Sequence, residues 1–153
     1  MTDRRPGERR KRIWRAASAA ALAAYALILA YLMFFRRHPM PLRSCNLIPL
    51  RTIALMLGLL TREGAHKTLE RIALVNLAGN IAAFVPMGFL LPCVWRGLRR
   101  CRRTLAVCAA AVIVLEALQY ATALGAADVD DLLLNLLGAA VGYAVYAAAG
   151  KPL

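Results

Sequence analysis

Acidic residues are scarce in this chain: 8 Asp and Glu stand against 20 Lys and Arg among 153 residues. Histidine is scarcer, with only His38 and His66, and neither belongs to a His-Glu-x-x-His zinc motif. There is no phosphate-cradling GxxxxGK loop and no GxGxxG turn, so nucleotide chemistry of those types has no foothold. The four cysteines, Cys45, Cys93, Cys101 and Cys108, show no Cys-x-x-Cys spacing, and a zinc site is therefore not expected. Aromatics make up 7% of the chain and do not interleave with its basic blocks. Without such a basic, aromatic-dotted face the excess of cations does not read as a nucleic-acid surface. No cofactor is expected.

What the chain has in abundance is apolar length. The hydrophobic share is 61% and the mean hydropathy +0.57, above the roughly 45–50% apolar usage of soluble domains. A spanning helix needs roughly 17–25 predominantly apolar residues. Four stretches qualify: Ala16 to Phe35, about Ile72 to Trp95, Thr104 to Leu124, and about Leu132 to Ala149. A fifth, Leu47 to Leu60, is too short to span and contains Arg51. With Pro49 near its start and Gly58 near its end it suits a short interfacial or re-entrant helix. The expected fold is an all-α, polytopic membrane bundle of four transmembrane helices with that short helix added. It divides into a basic tail (1–15), a first anchor (16–35) and a membrane domain (44–149). The first apolar run exceeds the 7–15 residues typical of a signal peptide, and no small-x-small cleavage site follows Phe35, so it reads as an uncleaved anchor.

Short basic loops orient such a bundle. Arg4, Arg5, Arg9, Arg10, Lys11, Arg12 and Arg15 precede the first span. Arg96, Arg99, Arg100, Arg102 and Arg103 lie between spans two and three, and Lys151 follows span four. The connection between spans three and four holds only aspartates. Four spans with both termini in the cytoplasm satisfy all of these. The long 36–71 connection, which also carries arginines, dissents and is outvoted. The expected product is a multi-pass membrane protein with its basic loops on the cytoplasmic side.

Glu116 is the residue that calls for a function. It lies inside an otherwise uncharged span, roughly 12 Å from its outer end at about 1.5 Å per residue. An ionisable group inside hydrocarbon costs at least a few kcal/mol and marks a functional site by default. Gln119 follows one turn later on the same face. Asn76 and Asn80 share a face of span two. Asp128, Asp131 and Asn135 step by three and four into span four, and Asn46 precedes the short apolar segment. All fall in the outer half, so a single outward-facing site built from four segments is expected, with Glu116, Asp128 and Asp131 as the candidates for any catalysis. The asparagines can equally serve as interhelical hydrogen-bond glue, and Asp128 or Asp131 as a helix N-cap. Gly138 and Gly142 form a small-xxx-small pattern for close helix packing, within the bundle or in a homodimer. Pro86 removes a backbone donor and kinks span two, leaving room beside Gly88. The acidic run with Glu116 offers oxygen ligands of the kind Mg²⁺ or Ca²⁺ takes, although an acidic run alone is a poor signal.

Four ordered motifs carry a resemblance. They are Asn46-Leu-Ile-Pro-Leu-Arg-Thr-Ile, Asn76-Leu-Ala-Gly-Asn80 continuing through Phe84-Val-Pro86-Met-Gly88 to Pro92, Glu116-Ala-Leu-Gln119, and Asp128-Val-Asp-Asp131-Leu-Leu-Leu-Asn135-Leu-Leu-Gly138. From about Ser44 to Tyr146 the chain resembles the VanZ-like family of small integral membrane proteins. Two positions depart from it: Leu50 replaces a common phenylalanine, and no arginine lies between Gln119 and Asp128. The resemblance implies a role in the bacterial cell envelope and a location in the bacterial cytoplasmic membrane, since the founding type is associated with low-level resistance to the glycopeptide teicoplanin. The expected partners are membrane lipids, a lipid-linked cell-wall intermediate or a glycopeptide. A binding protein is favoured over an enzyme, for want of a nucleophile or metal cage. The alternatives are a membrane enzyme using these carboxylates on a lipid head group and a small transporter with Glu116 as proton relay.

Overall fold

The computed structural model describes residues 6–34, 45–62 and 66–150. Its helices are α1 (Pro6–Phe34), α2 (Arg51–Thr61), α3 (Lys67–Val94), α4 (Cys101–Ala121) and α5 (Val129–Ala148). One 3₁₀ turn, Arg96–Leu98, joins α3 to α4. Two short strands, β1 (Cys45–Asn46) and β2 (Ala127–Asp128), pair in parallel, Cys45 beside Ala127 and Asn46 beside Asp128. α1, α3, α4 and α5 are long and apolar enough to cross a membrane, and the protein is a multi-pass membrane helix bundle. The first residues of the expected tail, the boundaries at Phe35 and Ser44, and Lys151 lie outside the described residues.

Helix ends follow local chemistry rather than the apolar runs alone. α1 starts at Pro6, where proline's fixed φ suits a first helical turn, and so draws much of the basic segment into the helix. α2 begins at Arg51, later than the apolar run suggests, because residues 47–50 are used in a turn. There Asn46 Oδ1 accepts the Ile48 amide at 3.2 Å, and Leu50 takes φ 65°. α5 starts on Asp128, whose extended backbone and side-chain acceptor for the Asp130 amide at 2.9 Å make it the N-cap.

α3 is the hub, packed against α1, α2, α4 and α5. Its contact with α5 is at backbone level. A Cβ added to Gly138 would stand 2.0 Å from the Ile81 carbonyl oxygen, one on Gly142 2.0 Å from that of Val85, and one on Gly88 2.0 Å from that of Ala139. Only glycine permits this approach, and lipid tails offer no hydrophobic drive to replace it. The three glycines interlock, two from α5 and one from α3. The α3 helix runs unbroken through Pro86 and Pro92. Beside the carbonyl that Pro86 deprives of its helical donor, the Tyr25 hydroxyl of α1 donates to Ala83 O.

The core is small and central: Leu29, Met33, Phe84, Leu91, Cys108, Val112 and Ala139 form one buried cluster. Leucines, isoleucines and valines cover the outside instead, with Leu27 72% and Val75 62% exposed. Such a surface is unfavourable in water and neutral against lipid tails.

Candidate functional site

The end of the bundle where α4 returns into α5 gathers the polar residues. β1 places Asn46 beside Asp128, and Asn46 Nδ2 donates to Asp128 Oδ1 at 2.9 Å and to Thr52 Oγ1 at 3.1 Å. The Thr52 hydroxyl in turn donates to Asp128 Oδ2 at 2.6 Å. The Asp128 backbone amide donates to Glu116 Oε2 at 3.3 Å. Asn46, Glu116 and Asp128 are thus brought together, with Thr52 beside them.

Asp130 belongs to the acidic run with Asp128 and Asp131 but stands outside their helical face, and its role differs from theirs. It is fully buried and points away from its own helix to the N-terminus of α2. Its Oδ1 accepts the Leu50 amide, and its Oδ2 accepts those of Thr52 at 2.7 Å and Ile53 at 3.0 Å. A carboxylate at a helix N-terminus satisfies orphan amides and complements the helix dipole. It also holds Leu50 in the left-handed conformation, which costs a non-glycine residue roughly 1–2 kcal/mol. Charge-assisted hydrogen bonds of roughly 1.5–3 kcal/mol each can offset that strain. Nothing in the spacing of three aspartates announces which one reaches a distant helix.

A second set lies deeper. Asn80 Nδ2 of α3 donates to Asp131 Oδ1 of α5. Gln119 is fully buried and donates from Nε2 to the Met33 carbonyl of α1 at 3.4 Å. Asn135 is buried on α5. Among the described residues, Asn76 Oδ1, Gln119 Oε1 and Asn135 Oδ1 are buried acceptors without a hydrogen-bond partner. Buried polar atoms without partners are uncommon, and water or a ligand usually supplies what is missing.

Between α1 and α3, at the same end, runs a groove of about 690 Å³. Its walls include Leu29, Leu32, Met33, Ile72 and Val75, and its polar lining is Thr68, Arg71, Asn76 and Asn80. Gly79 lies among these, and a Cβ built on it would meet nothing within 4 Å, so the helix offers bare backbone there. Arg71 and Thr68 were not singled out by the sequence reading. The available signal is that Arg71 is the last cation before the apolar run of span two.

These motif positions are those of a recognisable family. The VanZ/LLP1 family model matches residues 22–150. The chain belongs to the VanZ/LLP1 family. In this member Leu50, where the resemblance leads one to expect phenylalanine, is one of two non-glycine residues at positive φ among the described residues, with Ala123. No curated protein and no solved structure matches the chain.

Chemically, the arrangement separates two tasks. In this family member Asp128 and Asp130 are engaged by donors on both oxygens. A carboxylate so engaged has few lone pairs left for a cation. They act as fasteners joining β1, α2 and α5. The groove, with its amides, its arginine and its apolar walls, suits an amphiphile.

Proposed function

We propose that this protein binds an amphiphilic envelope molecule, a lipid or lipid-linked cell-wall intermediate, in the groove between α1 and α3, on the outward-facing side of the membrane. The head group sits against Arg71, Thr68, Asn76 and Asn80. The alkyl chain lies along the apolar residues of α1, Leu29, Leu32 and Met33. The observation that carries this reading is the lining of the groove, where Thr68, Arg71, Asn76 and Asn80 stand among apolar walls, and where a buried Asn76 oxygen lacks a partner among the described residues. Ligand sites of this size are mostly apolar with a few polar groups that fix orientation.

The family association with teicoplanin resistance fits this role. A protein that sequesters or shields a lipid-linked cell-wall intermediate, or captures the glycopeptide's lipid tail, lowers the antibiotic's effect without chemistry. Asp128 and Asp130 are taken up in joining β1, α2 and α5, which leaves the groove rather than the acidic run as the place for a ligand.

The test is the lipid content of the purified protein in nanodiscs, measured by native mass spectrometry. The wild-type protein should retain a specific lipid that Gly79→Trp, which fills the groove, releases. Asn80→Leu should weaken retention. An identical lipid profile in wild type and Gly79→Trp, with both folded, sinks the proposal.

A further inference from the structure

The opposite end of the bundle carries a second pair of cavities that the function above does not use. One is a cleft of about 740 Å³ between α1 and the α3–α4 connection. Five cations line it: Arg9, Lys11, Arg12, Arg15 and Arg96. Glu8 is the single acid in the lining, which leaves a formal charge of +4 (five cations less one carboxylate). The other is a groove of about 590 Å³ whose lining is apolar apart from the same Arg15 and Arg96: Leu91, Trp95, Gly97, Leu98 and Val107. Arg15 and Arg96 therefore stand at the seam between a cationic cleft and an apolar slot.

The seam is built, not incidental. Arg15 Nε donates to the Val94 carbonyl at 3.3 Å, at the C-terminus of α3. That bond aims the guanidinium at the junction, and helix C-termini attract cations. Trp95 is 50% exposed beside it, the placement of a ring at a membrane–water interface.

We propose that this seam is a site for an anionic phospholipid. The phosphate lies in the arginine cleft, where the planar forks of Arg15 and Arg96 match its oxygens. One acyl chain lies in the slot between Leu91 of α3 and Val107 of α4. Charge complementarity selects the head group, and the contiguous apolar slot selects a lipid over a free phosphate. The site is at the other end of the molecule from the α1–α3 groove and stands or falls independently of it.

The experiment is a titration of detergent-purified protein with phosphatidylglycerol or phosphatidylcholine, read by native mass spectrometry, with thermal unfolding as the check on folding. Phosphatidylglycerol should bind and phosphatidylcholine should not. A basic residue near an anionic surface is worth about 1 kcal/mol, so Arg96→Gln should weaken binding roughly fivefold and the Arg15→Gln, Arg96→Gln pair further. Arg100→Gln with Arg102→Gln removes as much charge from the same end but from neither cavity, and should leave binding within about twofold. Val107→Trp, which fills the slot, should also reduce it, and this variant keeps the test sharp if Arg15→Gln fails to fold. An equal loss in the Arg100/Arg102 pair would mean general attraction to a basic surface and overturn the site. Inorganic phosphate or glycerol phosphate competing as well as the whole lipid would show that the slot plays no part and overturn the lipid assignment.

Discussion

Asp130, in the first turn of α5, accepts the backbone amide of Thr52 at 2.7 Å and so closes the N-terminus of α2, a helix 78 residues back in the chain. The short helix is held by this contact more than by burial, since α2 has no fully buried residue. The aspartates conspicuous in the sequence thus fasten α2 and α5 together, while the proposed ligand site is lined by other residues, those of the α1–α3 groove.

Removing that carboxylate should be costly. Asp130→Ala leaves three part-buried amides without their acceptor, at roughly 1–3 kcal/mol each where water cannot replace it. The expected result is thermal unfolding in detergent at clearly lower temperature than wild type, and protection of the Thr52 and Ile53 amides from hydrogen exchange should vanish. Asp130→Asn keeps one acceptor oxygen and should fall between. Unchanged exchange at Thr52 in Asp130→Ala would refute the capping role.

Glycine substitutions should split into two groups. Gly142→Ala puts a methyl 2.0 Å from Val85 O, so α3 and α5 must separate. Overpacking of this kind costs about 1–3 kcal/mol, and membrane abundance should drop. Gly79→Ala meets open space and should gain up to about 1 kcal/mol of helix propensity. Equal tolerance at both positions, measured by thermal unfolding, would contradict the packing.

Glu116 offers a test of charge against shape. Its Oε2 accepts the Asp128 amide, a bond that the Gln amide oxygen can keep and Ala cannot. Glu116→Gln should therefore reach the membrane at near wild-type level, whereas Glu116→Ala should not. Any envelope-antibiotic phenotype lost in a normally abundant Glu116→Gln protein reports a need for the charge itself. Equal absence of both variants from the membrane fraction would make Glu116 purely structural.

Asn80 and Asp131 should act as a pair. Single changes Asn80→Leu and Asp131→Leu each strand the other partner of one hydrogen bond. The double variant should lose less stability than the two singles added, by roughly 0.5–3 kcal/mol of coupling. Strict additivity would show that the bond contributes nothing.

Two native thiols can report orientation. Cys45 and Cys101 are exposed, and they lie at opposite ends of the bundle. In variants retaining one cysteine, a membrane-impermeant maleimide added to intact cells should label Cys45 and spare Cys101. The reverse pattern would invert the topology derived from the basic loops.

How much of this was readable beforehand differs from residue to residue. The four spans and the short helix follow from the sequence by itself, because apolar length against bilayer thickness is a local property of consecutive residues. So does the clustering of Asn46, Glu116 and Asp128 at one end, since helix length and direction fix depth. The pattern Gly138-Ala-Ala-Val-Gly142 announces close packing, but its partners, Ile81 and Val85, and the reciprocal Gly88 depend on how α3 and α5 lie against each other. Asp130 shows the limit most plainly. Helical spacing sets Asp128 and Asp131 apart and offers either as N-cap, but only the fold decides that Asp128 is the cap, that Asp130 caps α2 and that Asp131 meets Asn80. The α1–α3 groove and the seam at Arg15 and Arg96 were likewise decided only by tertiary structure. A cavity is what packing leaves unfilled between elements distant in the chain, and no local pattern encodes it.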